Sequence, residues 1–127
     1  MSYIINSDTY TSIETSIKLN EIYNTDHLTK CYFKYFINKT ETWSLDIPTL
    51  TNIEEETGAW SCGDMLKLME PIETGGTRFI FNMIFAHDKI YVSYDDIYNS
   101  SYSLIKVTGV DLPEILAEIL IKIQQYI

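Results

Sequence analysis

Apolar and polar positions alternate through most of this chain and take up a helical spacing only near its end. Leu112, Ile115, Leu116, Ile119, Leu120 and Ile123 recur at the i, i+3, i+4, i+7 spacing of one buried helix face. Asp111 precedes them as an N-cap, with Glu114 three residues later completing a capping box. Pro113 falls in the first turn, where its missing N–H costs no hydrogen bond. Glu118 and Lys122 add an i,i+4 pair on the outer side, and Ile121 points away from the stripe. The stretch "DLPEILAEILIKIQQYI" is therefore expected to be a helix.

Upstream the period is two. "SIETSIKLN" alternates Ile13, Thr15, Ile17 and Leu19 with Glu14, Ser16, Lys18 and Asn20, which predicts a half-buried strand. A helix within 7–24 is the alternative, opposed by threonine content and by that alternation. "KCYFKYFIN" and "ETWSLDI" read as two strands joined by a turn at Asn38-Lys39-Thr40, the second ended by Pro48. "TRFIFNMIFAHDKIYVSYDD" reads as a hairpin hinged at Ala86-His87-Asp88-Lys89, and "SLIKVTGV" as the last strand. "GDMLKLMEPIE" suits a short helix by its Met and Leu content and a strand by the pattern around Pro71; strand is preferred. The expected fold is α+β, an antiparallel sheet of about five to seven strands with a long C-terminal amphipathic helix packed on one face. At 127 residues the chain fits a single domain, 1–127.

Composition narrows the class. With 46% hydrophobic and 21% charged residues the chain has the makings of a core, which excludes disorder. Runs such as "FIF" and "ILIKI" are far too short to span a membrane, and "MSYIINSDTY" lacks a secretory leader's basic start and apolar run. A cytoplasmic location is expected, with Cys31 and Cys62 as reduced thiols.

The formal charge of −9 is unevenly spread. Residues 1–40 balance to zero, 41–73 carry eight acids against Lys67, and 74–127 carry six acids against four bases. Such a field repels nucleic acid and anionic membrane and draws in a basic partner from about a Debye length, roughly 8 Å. Neither nucleic acid nor membrane is an expected partner.

The reactive side chains form no recognisable machinery. Cys31 lies in an apolar strand, and Cys62 has acids rather than cations nearby, which oppose a thiolate. His27 and His87 each adjoin an aspartate, but neighbours in sequence diverge, and His87-Asp88 suits a hairpin turn. Zinc spacing is missing, and Asp95-Asp96 lacks the alternate oxygens of a calcium loop, so no metal or other cofactor is expected. "ETGGTR" lacks the GK[ST] ending of a phosphate loop and reads as a turn. A binding protein rather than an enzyme is the expectation.

Two segments have the composition of an interface. In "TNIEEETGAWSCGD" the acids Glu54, Glu55, Glu56 and Asp64 flank Trp60, of the residue type most enriched among interface hot spots. A solvated loop is the competing reading of that acidic run. "YVSYDDIYNSSYS" sets Tyr91, Tyr94, Tyr98 and Tyr102 among Asp95, Asp96, Ser and Asn, a mixture of rigid amphipathic rings and adaptable hydrogen bonding.

The acid-rich "IEEETGAWSCGD", the "YVSYDDIYNSSY" stretch and the Ile/Asn/Lys/Tyr-heavy composition together resemble immunity proteins of bacterial contact-dependent growth inhibition and related polymorphic toxin systems. The resemblance is one of profile over the whole chain. It implies a cytoplasmic protein, monomer or homodimer, that binds one cognate toxin domain, often a nuclease, and blocks its active site. In that role Glu54, Glu55, Glu56 and Asp64 supply charge, Trp60 anchors, and Tyr94, Asp95, Asp96 and Tyr98 form a second edge. The alternative is an acidic secretion chaperone or adaptor, similar to those of type III systems, that holds an effector segment.

Overall fold

The computed structural model describes residues 10–28, 30–37, 40–46 and 55–126. It is an α+β protein: α1 (Ile13–Ile22), β1 (Lys30–Ile37), β2 (Thr40–Asp46), β3 (Glu55–Ala59), α2 (Cys62–Leu66), β4 (Ile72–Thr74), β5 (Thr77–Phe85), β6 (Ile90–Asp96), β7 (Ser103–Gly109) and α3 (Leu112–Lys122), closed by a 3-10 turn at Ile123–Tyr126. The described strands fall into two antiparallel sheets, β2-β1-β3 and β4-β5-β6-β7, where one sheet was expected. Contacts divide the chain into two compact units, Met1–Ser61 and Cys62–Ile127.

In the first unit the expected strand over 12–20 is instead helix α1. Ser12 is its N-cap, the Oγ accepting the Thr15 N–H at 3.2 Å, and Glu14 in the first turn suits the positive end of the helix dipole. The alternating pattern named Ile13, Thr15, Ile17 and Leu19 as the buried set. The helix instead buries Ser16 and Leu19, three residues apart on one face, and leaves Ile17 40% exposed. Burying a serine is tolerable because its hydroxyl lies 2.6 Å from that of Thr11. β1 and β2 pair from Cys31 opposite Asp46 to Ile37 opposite Thr40, as the two aromatic runs predicted. Asn38 and Lys39 of the expected turn, and Pro48, lie outside the described residues.

The second unit holds the predicted hairpin. β5 and β6 pair from Phe79 opposite Asp96 to Phe85 opposite Ile90, and the Ala86 N–H closes the turn on the Lys89 carbonyl at 2.9 Å. The preferred strand over 64–72 is corrected at both ends. Cys62–Leu66 is helix α2, and β4 begins only at Ile72, after Pro71. Helix α3 lies against β6, β7 and α2, burying Ile115, Leu116, Ile119 and Leu120 on the side where those strands bury Val92, Ile105 and Val107. Each such aliphatic residue contributes about 1.5–3 kcal/mol on burial. A methyl group added at Gly109 would meet Ile115 at 3.1 Å, which measures how closely β7 and α3 approach. The Glu118–Lys122 pair forms, at 3.7 Å. The Asp111 half of the capping box does not: Asp111 occupies the N-cap position, but its side chain makes no capping bond.

Candidate partner-binding surface

The antiparallel order of the second unit brings two turns to one end of its sheet. The Ile97 N–H bonds the Arg78 carbonyl at 3.2 Å, so the turn leaving β6 starts beside the turn entering β5. The β4–β5 turn is two residues, Gly75 and Gly76, with φ of 59° and 78°. Both lie in the left-handed region of a tight hairpin turn, where a side chain is strained. Across from it, the Asp96 carboxylate accepts the Tyr98 N–H at 2.8 Å, and the Asn99 amide oxygen accepts from the Ser101 N–H and hydroxyl at 3.3 and 2.6 Å. These short side-chain-to-backbone bonds fix the loop without using its rings.

Between the turns lies an open cleft of about 550 Å³ lined by Glu73, Thr74, Gly75, Gly76, Thr77, Arg78, Ile97 and Tyr98. Tyr98 is 91% exposed at its rim, and Ile97 and Tyr102 are also exposed. The Tyr102 ring leans on Phe79, centroids 5.9 Å apart, which ties this end to the core. Arg78 and Glu73 face each other at 3.4 Å in solvent.

Only part of the expected site is at this surface. Asp96 and Tyr98 are brought together here. Asp95, one residue away, is buried: its carboxylate accepts from Asn82 Nδ2 at 2.9 Å and Ser103 Oγ at 2.6 Å. Burial by itself would raise the Asp95 pKa, but hydrogen bonds from Ser103, Asn82 and Ser93, aided by the Lys106 charge, outweigh it and hold the group below the ordinary carboxylate value. Tyr94 is a correction. Its ring is fully buried, edge-on to Phe81 at 5.8 Å, with its hydroxyl donating to the Glu70 carbonyl at 3.0 Å, so it presents nothing to a partner. Asp64 is half-buried on α2.

Trp60 is the larger correction. It belongs to the first unit and is wholly buried, its Nε1 donating to Asn20 Oδ1 at 2.6 Å and its carbonyl accepting the Thr11 N–H at 2.9 Å. Tyr23 and His27 pack edge-on to it, with centroids 6.0 and 5.2 Å away. The acidic run before it is not a loop where it is described: Glu55 and Glu56 begin edge strand β3, in register with Lys34 and Phe33 of β1. Glu54 lies outside the described residues.

Cys62 is half-buried, its thiol pushed up chiefly by burial and further by Asp111, which opposes a thiolate nucleophile. Among the described residues no cluster of His, Cys, Asp or Glu is arranged to hold a metal, and no helix is long and apolar enough to cross a membrane. Sequence reasoning took "ETGGTR" for a plain turn and so missed Glu73, Arg78 and the glycines as one wall of the cleft. The available signal was the tandem glycine flanked by charges. No family model, curated protein or solved structure matches the chain.

Proposed function

We propose that this chain is an immunity protein, a binder that neutralises a cognate toxin domain by covering its active site rather than by catalysis. Tyr98 carries the proposal. A chain that seals Trp60 and Tyr94 completely leaves this one ring 91% exposed, on a hydrogen-bonded turn at the rim of a cleft. A rigid, protruding tyrosine among Asp, Asn and Ser loses little conformational entropy on binding and offers both a flat apolar face and a hydroxyl. The net charge of −9 favours encounter with a basic surface such as a nuclease cleft. Asp96 acts beside Tyr98, while Glu54, Glu55, Glu56 and Asp64 add to the long-range field.

The test is a calorimetric titration against the toxin domain encoded immediately upstream, at low and high salt. Tight binding by the native chain, weakened by salt and lost in Tyr98→Ala, is expected. Absence of binding sinks the immunity reading, and full affinity in Tyr98→Ala removes the site.

A further inference from the structure

β5 is nine residues long, and its outer neighbour β4 only three. β4 covers Thr77–Phe79, so along Ile80–Phe85 the outer side of β5 is an open edge among the described residues. The ladder shows which backbone groups that edge presents. Arg78 accepts from Ile97, and Ala86 donates to Lys89, so even-numbered residues of β5 address β6 and odd-numbered ones face outward. Thr77 and Phe79 meet β4, which leaves the N–H and C=O groups of Phe81, Met83 and Phe85 on the open edge.

Exposed edges are ordinarily guarded by a charge, a proline or a bulge. The stretch "FIFNMIFA", 79–86, has neither charge nor proline, and Ile84 and Phe85 are 60% and 62% exposed. We infer that this edge pairs antiparallel with the same edge of a second copy, about a two-fold axis at Met83. A two-fold normal to the sheet keeps each face on its own side, so the axis must pass through a residue and opposed residues share parity. Centred on Met83, Phe81 stands opposite Phe85 of the copy and Asn82 opposite Ile84, and every outward N–H and C=O of the three odd residues is met. Centred on Asn82, Phe85 would fall opposite Phe79, whose groups β4 already uses.

Charge selects the occupant. A basic strand would find no carboxylate along 79–86, whereas a neutral apolar strand matches it, and this segment is one. The −9 charges of two copies repel, but beyond a Debye length of roughly 8 Å salt screens them. One strand pair falls short of the ~1,200 Å² that stable interfaces bury, so the dimer is weak and reversible. It leaves the Tyr98 cleft out of the pairing and is independent of the immunity reading.

Sedimentation equilibrium of the full chain over a concentration series tests this. A monomer–dimer equilibrium that tightens as salt is raised is expected, since screening relieves repulsion between like-charged copies. Phe85→Lys is expected to weaken it at least tenfold, with circular dichroism confirming the fold. In a Cys31→Ser, Cys62→Ser background, Met83→Cys is expected to cross-link with a short bis-maleimide. Opposed Cα atoms in a hydrogen-bonded pair are about 5.5 Å apart, within the span of such a linker. Ile80→Cys, which faces Ala86 of the copy, is expected not to. A monomer at every concentration, unchanged association in a folded Phe85→Lys, or a dimer whose Met83→Cys fails to cross-link overturns the proposal.

Discussion

Trp60 and Tyr98 each follow the end of a strand by one or two residues and lie within reach of acids in sequence, yet one is sealed and the other stands in solvent. What separates them is the supply of partners. α1 delivers Asn20 to the indole N–H, and its flanks bring Thr11 to the backbone carbonyl and Tyr23 to the ring edge; the loop after α1 adds His27. At Tyr98 the local bonds serve only the backbone: Asp96 holds its N–H and the ring projects. A fixed backbone beneath an uncovered ring is suited to recognition, and a ring whose polar atom is met by a distant side chain is suited to packing.

The largest expected effect tests that division directly. Trp60→Ala removes a fully buried aromatic and leaves the Asn20 amide oxygen without its donor, and should cost about 3–5 kcal/mol in chemical denaturation. Tyr98→Ala should shift the same curve by no more than ~0.5 kcal/mol. Comparable losses would erase the distinction between the two sites. In binding the order reverses. Tyr98→Ala should weaken association with the proposed toxin partner by about 2 kcal/mol or more, near thirtyfold, by calorimetry.

The adjacent acids repeat the contrast on a smaller scale. Asp95 is enclosed and accepts from Asn82 and Ser103, whereas Asp96 caps a turn. Asp95→Ala should cost about 1–3 kcal/mol by leaving those donors without their acceptor. The native pKa of Asp95 lies below its unfolded value near 3.9, so the folded state favours the ionised form. Its contribution is therefore complete above that value and lost as pH falls from about 4 through the native pKa. A urea-midpoint series from pH 6 to pH 2 should show this loss in the native chain and much less of it in Asp95→Asn. Identical pH profiles would mean that the carboxylate is not held ionised by its neighbours.

Elements whose buried residues are all apolar were legible. The α3 stripe follows from spacing alone, because every buried position in it is aliphatic, and the β5–β6 hairpin from its two apolar runs, which bury Phe79, Val92 and Tyr94. Reading failed where polar side chains do the burying. Ser16 is inward in α1 because Thr11 meets it, and Trp60 is inward because Asn20 meets it, and neither partnership is visible before the chain is folded. Asp95 and Tyr94 were placed on a surface for the same reason. The exposure of Tyr98 was legible because the turn that carries it is local, written in Asp96, Asn99 and Ser101 within six residues.

The smallest prediction concerns the residue that decides α1. Residues 12–20 satisfy period two as well as they satisfy a helix, so the start signal settles the matter: Ser12 with Oγ on the Thr15 N–H, and Glu14 in the first turn. Ser12→Ala should cost about 1 kcal/mol and Ser12→Gly only a few tenths, since glycine tolerates the N-cap backbone and leaves the N–H to water. Because α1 carries Asn20 to Trp60, loosening its first turn should also raise hydrogen exchange at the indole N–H in Ser12→Ala. If exchange there were unchanged while stability fell, the cap would act on the helix alone, and the enclosure of Trp60 would rest on Asn20, Tyr23 and His27 without it.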